Sequence, residues 1–158
     1  MERADWLTER EERAWRALQF MQMRLDGELA RQLAADSELS YPDYLVLVAL
    51  TDRPDGRMRL FELGGVLGWE KSRLSHHVAR MVRRGLVDKE PCDDDRRGAH
   101  VIVTSRGTKE LAAAAPGHVA AVRRLFVDLL TEQQLDTIAD VAETVLAAVD
   151  EQHSLQTE

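Results

Sequence analysis

Two short stretches with helical periodicity, separated by a break, lie in the middle of the chain. This feature constrains the fold more than any other. In the stretch RLFELGGVLGWEKSRLSHHVARMVRRGLV, apolar residues recur at helical spacing up to Leu67, and Gly68 then interrupts the pattern. A second helix is predicted to begin near Glu70 and to end at Gly85, because glycine is common just past the last turn of a helix. Two helices joined by a glycine-containing turn predict a helix-turn-helix.

The second of these helices is predicted to have one apolar face and one basic face. Successive helical residues are rotated by about 100°, and this places on the apolar face Leu74, Val78, Met81 and Val82. The opposite face carries hydrogen-bond donors and no carboxylate, as suits contact with base edges and phosphates. An ordinary surface helix, the alternative, usually mixes both signs of charge there. The residues of this helix predicted to contact DNA are Lys71, Ser72, Arg73, Ser75, His76, Arg80 and Arg83.

A charged segment, DDDRRG, joins the β-prone runs LVDKEPC and AHVIVT, and together they predict a hairpin directly after the second helix, which is a wing. Arg96 and Arg97 are predicted to reach the DNA backbone or minor groove, while Asp95 holds one of them by a charge-assisted hydrogen bond. Metal binding by residues 93–95 is the alternative. No metal site is predicted, because the two arginines neutralise the carboxylates and the spacing is not that of an EF-hand.

The distribution of charge supports a polyanion as partner although the chain as a whole is acidic. The net charge is −7, but residues 57–109 hold 12 Lys and Arg against 7 Asp and Glu, a net of +5. The remaining residues carry −12. A basic middle between acidic ends is typical of a DNA-reading lobe on an acidic scaffold. A charge bias without any partner is the alternative.

Helical periodicity dominates the rest of the chain, so the predicted fold class is mainly α with a small β-hairpin wing. One long amphipathic helix is predicted from Leu7 to about Ala34, and Ser40 with Asp43 forms a capping box at the start of the next. Apolar stripes at both ends of the chain favour a homodimer over a monomeric helical bundle. The predicted domains are a helical dimerisation region, 1–39 and 105–158, and a winged helix-turn-helix domain, 40–104.

The order of elements resembles that of the MarR family of winged-helix transcriptional regulators over nearly the whole chain. The matching motifs are SRLSHHVARMVRRGLV in the recognition helix, DDDRRGAHVIVTSRG in the wing, and LTEQQL before the last helix, with Thr131 as its N-cap. The resemblance implies a homodimer on a pseudo-palindromic operator in double-stranded DNA, which represses nearby genes until a small ligand binds. Where the family often has an arginine in the middle of the recognition helix, this chain has His76 and His77.

The same resemblance implies a ligand crevice between the dimerisation helices and the winged domain. An arginine suits a carboxylate, and aromatic residues with a methionine suit an apolar ring, so an anionic aromatic effector is the hypothesis. For two of these residues the alternative is an ordinary role. Trp15 would serve only in packing, and His118 would be an ordinary surface residue. The candidate ligand-binding residues are Trp15, Arg16, Met23, Tyr44 and His118.

Other classes of function have little support in the sequence. No nucleophile elbow, phosphate loop or H-E-x-x-H motif is present, so neither an enzyme nor a cofactor is predicted. The N-terminus lacks an apolar signal region and no apolar run could span a membrane, which predicts a cytoplasmic protein. A protein-interaction module on the same scaffold is one alternative. A redox-responsive regulator using Cys92 is another, although neighbouring carboxylates disfavour its reactive thiolate form.

Overall fold

The computed structural model describes residues 6–92 and 98–156, with side chains up to Gln152. As predicted, the fold is mainly helical with a small antiparallel sheet. A short 3₁₀ helix, Val127–Leu129, precedes the last α-helix. In chain order the α-helices and strands are α1 Glu9–Asp36, α2 Tyr41–Thr51, β1 Arg57–Arg59, α3 Leu60–Leu67, α4 Lys71–Arg83, β2 Val87–Pro91, β3 Ala99–Val103, α5 Ser105–Leu125 and α6 Glu132–Gln156.

The helix-turn-helix formed by α3 and α4 has the boundaries that the sequence predicts. Gly68 caps α3 in the left-handed conformation, with φ of 63°, which glycine adopts without steric cost. Leu63 of α3 is buried beside α2, and the predicted capping box of α2 is present, with Ser40 and Asp43 each accepting a hydrogen bond from the other's backbone N–H. The turn and the cap together fix where α4 begins relative to α2.

The buried face of α4 differs from the predicted one at two positions. Leu74, Val78 and Met81 are buried as expected, but His77 is also buried, whereas Val82 is 37% exposed. A helix repeats every 3.6 residues, so His77 lies between Leu74 and Met81 on one side of the helix. Val82, predicted on the apolar face, is therefore exposed, and His77 is buried on that side of the helix.

The sheet has three strands in the order β1–β3–β2, one more than the predicted hairpin. β2 and β3 form that hairpin, and β1 adds to the other side of β3 in antiparallel register, with Met58 opposite Val101. The side chains of both these residues are buried in the core. The omission of β1 from the predicted fold is a correction, and this strand ties the start of α3 to the base of the wing.

The first turn of α5 lies against Leu86, the residue before β2. A Cβ atom at Gly107 would lie 2.1 Å from the Leu86 carbonyl oxygen, so only glycine permits this approach of the first turn. The helix then continues through Pro116. Pro116 leaves the carbonyl of Ala112 without its helical donor, but Ala112 is exposed, and water can replace that donor.

The chain divides into two compact units, Met1–Val119 and Ala120–Glu158. In the first, the hydrophobic core lies between α2, α3, α4 and the sheet, and includes Leu47, Leu50 and Val101. In the second, apolar residues of α6 are largely exposed. Within the described ranges, no helix is long and apolar enough to cross a membrane. The division into dimerisation and DNA-binding regions stays a prediction.

Candidate nucleic-acid interface

The outer face of α4 presents the basic side chains that the sequence assigns to DNA contact. Ser75 is half-buried, and the other predicted contacts on this helix are exposed: Lys71, Ser72, Arg73, His76, Arg80 and Arg83. The first turn of α4 contains no acidic residue. This face can therefore donate hydrogen bonds to phosphate oxygens and base edges without competition from carboxylates on the same surface of the helix.

Two of these arginines are held by neighbouring rings. The Arg73 guanidinium carbon lies 4.4 Å from the centre of the Trp69 indole ring, a cation–π arrangement. Nη2 of Arg80 lies 2.8 Å from Nδ1 of His77. Neither Trp69 nor His77 is among the residues predicted to contact DNA. Both residues could have been found from their positions in the sequence. Trp69 is a large aromatic residue just before the helix, and His77 lies at helical spacing from the apolar residues.

Asp43 connects α2 to the far end of α4. Its Oδ2 accepts hydrogen bonds from the Ser40 N–H at 2.9 Å and from Nη1 of Arg84 at 2.6 Å. Its Oδ1 lies 3.0 Å from Nε2 of His77, a close contact without the linear geometry of a hydrogen bond. Nη2 of Arg84 donates to the Glu38 carbonyl at 2.6 Å. The buried carboxylate of Asp43 thus links α2 to His77 of the recognition helix and to Arg84 at its end.

The carboxylate of Asp43 is charged in the folded protein. Burial raises its pKa, but interactions with His77, Arg84 and Ser40 together outweigh burial. The net effect is a pKa well below the ordinary aspartate value. The negative charge is therefore retained at neutral pH, and it offsets the positive charge that Arg84 brings to the end of α4.

The predicted tip of the wing, with Asp95, Arg96 and Arg97, lies outside the described residues, as do Asp93 and Asp94. The roles of these residues stay predictions. The base of the wing is described, and the Cys92 N–H donates to the Gly98 carbonyl at 3.1 Å to close the hairpin. This bond continues the pairing of β2 with β3 as far as the last described residues on either side.

β1 adds arginines that the predicted contact set omits. Arg57 and Arg59 flank the buried Met58 and so lie on the outer face of the sheet, where Arg59 is paired with His100 of β3. These residues and Arg53 line a groove of about 470 Å³. Asp55 and Glu62 line the same groove, so its charge is mixed.

Cys92 is 5% exposed, and its Sγ lies 3.4 Å from Nδ1 of His100. Because the sulfur is buried, we expect iodoacetamide to modify it at least about tenfold more slowly in the native protein than in the urea-unfolded protein. Mass spectrometry of timed samples measures both rates. Equal rates, with loss of DNA binding on modification, would support the redox-responsive alternative.

The five candidate ligand-binding residues occupy two kinds of environment. Trp15 and Met23 are more than half exposed on α1, and Arg16 pairs with Glu12 of the same helix. Tyr44, in contrast, is buried, and its ring centroid lies 4.2 Å from that of His118. Of the five, Tyr44 and His118 contact each other, and the assignment of all five to a ligand stays a prediction.

His118 differs from the simple surface histidine considered for the sequence. Its Nδ1 atom is buried without a hydrogen-bond partner among the described residues, as is Oε1 of Gln32. Burial lowers the pKa of His118, which favours its neutral form. The half-buried His118 ring thus has a nitrogen without a partner and lies beside the aromatic ring of Tyr44. Small-molecule sites commonly combine a few polar groups with aromatic side chains in this way.

Comparison with known proteins gives a consistent set of relatives. A sequence model described as MarR family matches residues 37–98. Transcriptional regulator HosA from Escherichia coli is 38% identical over 80 residues, a stretch that is 50% of this chain and 57% of HosA. The chain therefore matches little more than half the length of that relative.

Two solved structures from Streptomyces coelicolor resemble the chain over most of its length. AbsC, a MarR family transcriptional regulator, is 34% identical with a TM-score of 0.83, and the match covers 94% of this chain and 99% of AbsC. Sco3205, a MarR family transcriptional regulator in complex with DNA, is 36% identical, also with a TM-score of 0.83. That match covers 92% of this chain and 91% of Sco3205.

Proposed function

The chain belongs to the MarR family of transcriptional regulators, and from this premise we propose that it binds a pseudo-palindromic DNA operator as a homodimer and represses transcription until a small ligand releases it. The observation that carries the proposal is the outer face of α4, where exposed arginines are held in place by Trp69 and His77. The chain resembles Sco3205, whose structure is in complex with DNA, and this resemblance supports DNA as the partner.

The recognition helix is the proposed reader of base sequence. Arginine forms paired hydrogen bonds with guanine edges in the major groove, and Arg73, in the first turn of α4, is suited to this contact. Arg80 and Arg83, in the last turn, are suited to phosphates. The wing residues Arg96 and Arg97 are proposed to contact the backbone or minor groove beside them, with Asp95 as their support.

The proposed homodimer rests on apolar surfaces that a single copy leaves exposed. On α1, Phe20 is 59% exposed and Met23 60%. On α6, Ile138, Val141 and Val145 recur at helical spacing and are 38 to 56% exposed. Apolar surface of this extent on long helices is typical of protein interfaces, and a second copy of the chain is the proposed partner.

Replacement of Val145 by glutamate is expected to convert the dimer to a monomer, raising its dissociation constant by at least about 100-fold, because each interface would bury an unpaired charge. Ala147→Glu adds the same charge about 200° around α6 and is the matched control. Sedimentation equilibrium measures the mass of each variant. A monomeric wild-type protein, or a Val145→Glu variant that remains dimeric, would contradict the proposed use of this face.

The proposed effector site is centred on the contact between Tyr44 and His118, and the α1 residues Trp15, Arg16 and Met23 are its further predicted members. The buried Nδ1 of His118 supports the part of the site on α5, since a ligand donor or acceptor could pair with it. Arg16 would supply charge for a carboxylate. An aromatic carboxylic acid is therefore the proposed class of effector.

A test of the whole proposal is selection from a pool of random duplexes. The wild-type protein is expected to enrich an inverted repeat, because a two-fold symmetric dimer presents two copies of α4 to two half-sites. Aromatic carboxylic acids are then screened for release of that duplex. A protein-interaction module on the same scaffold would enrich no sequence.

A further inference from the structure

His77 is the one buried histidine among the described residues, and it touches two charged side chains. On one edge of its ring, Nδ1 lies 2.8 Å from Nη2 of Arg80. On the other, Nε2 lies 3.0 Å from Oδ1 of Asp43. The ring therefore stands between the core carboxylate and an arginine on the outer face of α4.

These two neighbours determine where the ring carries its hydrogen. A guanidinium group can only donate hydrogen bonds, so Nδ1 of His77 must be the acceptor from Arg80. An ionised carboxylate can only accept, so the hydrogen lies on Nε2, which faces Asp43. The arrangement requires a neutral imidazole with its hydrogen on Nε2.

His77 also contacts Trp69, the residue on which Arg73 lies. Its ring meets the Trp69 indole edge to face, with centroids 5.4 Å apart and an interplanar angle of 85°. The guanidinium of Arg73 lies over the same indole. One buried histidine thus contacts both groups that hold the arginines of the recognition helix.

We propose that His77 is a positioning residue of the DNA interface, which holds Arg80 directly and Arg73 through Trp69. This inference rests on the proposed function, since it requires that α4 contacts DNA. An arginine on a helix surface otherwise samples many rotamers, and ordering it on binding opposes association. A histidine can accept from Arg80 on one edge and donate towards Asp43 on the other, which a leucine at this position could not do.

Two substitutions separate the positioning role from a purely structural one. The side-chain amide of asparagine reaches about as far as Nδ1 of histidine, so His77→Asn retains an acceptor for Arg80 and loses the contact with Asp43. The amide of glutamine reaches about as far as Nε2, so His77→Gln retains a donor towards Asp43 and loses the acceptor. Affinity and stability are therefore expected to respond in opposite order.

The experiment measures both quantities on the full-length protein. Fluorescence anisotropy gives the affinity for the duplex that the wild-type protein selects, and urea unfolding gives the stability. Both variants lose the ring that contacts Trp69, so the difference between them isolates the contact with Arg80. His77→Gln is expected to bind about tenfold more weakly than His77→Asn, because only the asparagine variant keeps Arg80 ordered. His77→Gln is expected to be the more stable of the two variants.

A double-mutant cycle then tests whether the effect passes through Arg80. In an Arg80→Ala background, the difference in affinity between His77→Gln and His77→Asn is expected to disappear, since the arginine that only the asparagine variant holds is absent. An undiminished effect in that background would overturn the inference, as would losses of affinity that follow the losses of stability in both variants. If wild-type protein selects no duplex, the proposed function fails and this inference with it.

Discussion

Replacement of Arg73 by alanine is expected to weaken binding to the selected duplex by about 10- to 100-fold per half-site, the range for loss of a paired arginine–guanine contact. The stacking of the guanidinium on Trp69 supports this magnitude, because the arginine is already ordered before DNA binds. Fluorescence anisotropy with the selected duplex and with random duplexes measures both affinity and discrimination. A base contact predicts that discrimination falls along with affinity.

Arg31→Ala is the control for this prediction, because it removes the same charge from α1, where Arg31 pairs with Glu28 of its own helix. It is expected to change affinity by less than about twofold, since exposed charges distant from the interface are screened at physiological salt. Equal losses for both variants would mean that Arg73 acts only through net charge. No loss for either would remove the outer face of α4 from the interface.

Replacement of Asp43 by alanine is expected to lower the free energy of unfolding by about 2 to 3 kcal/mol at pH 7, through loss of the helix cap and of a buried charged partner. This loss is smaller than that for a fully buried ion pair, because the Arg84 side chain is 42% exposed and water can replace part of what it loses. Urea unfolding measures the change. A loss below about 0.5 kcal/mol would show that the contacts of Asp43 with His77 and Arg84 contribute little to stability.

The contribution of Asp43 should also depend on pH in a defined direction. Its folded pKa lies below the ordinary value, so its contribution is fully present above the unfolded pKa and is lost as pH falls towards the folded one. The wild-type advantage over Asp43→Asn is therefore expected to shrink below about pH 4, near the pKa of an unfolded aspartate. An advantage that grows on acidification would contradict the charged state assigned to Asp43.

Local patterns in the sequence were sufficient to predict the helix-turn-helix. Gly68 and the capping box of Ser40 and Asp43 act within a few residues of themselves, so their signals are readable without the fold. The error on α4 has a specific cause. The apolar stripe was assigned by residue polarity, which admitted Val82 and excluded His77, although helical spacing from Leu74 and Met81 places His77 on the buried side.

The features that the sequence did not predict depend on contacts between distant segments. β1 is three residues long with arginines at both ends, and its identity as a strand comes from pairing with β3, more than 40 residues further on. The contact between the rings of His118 and Tyr44 joins α5 to α2 and leaves no local periodic signal. The contacts of Arg84 with Asp43 and Glu38 are likewise set by tertiary packing.

The most direct test of the central claim is the affinity of the purified wild-type protein for its selected inverted repeat, measured by fluorescence anisotropy across a salt series with excess random competitor DNA. A regulator that reads DNA through α4 and the wing is expected to bind at least about 1,000-fold more tightly to the repeat than to random DNA, with affinity falling steeply as salt rises. Affinity equal to that for random DNA at every salt concentration would contradict the account.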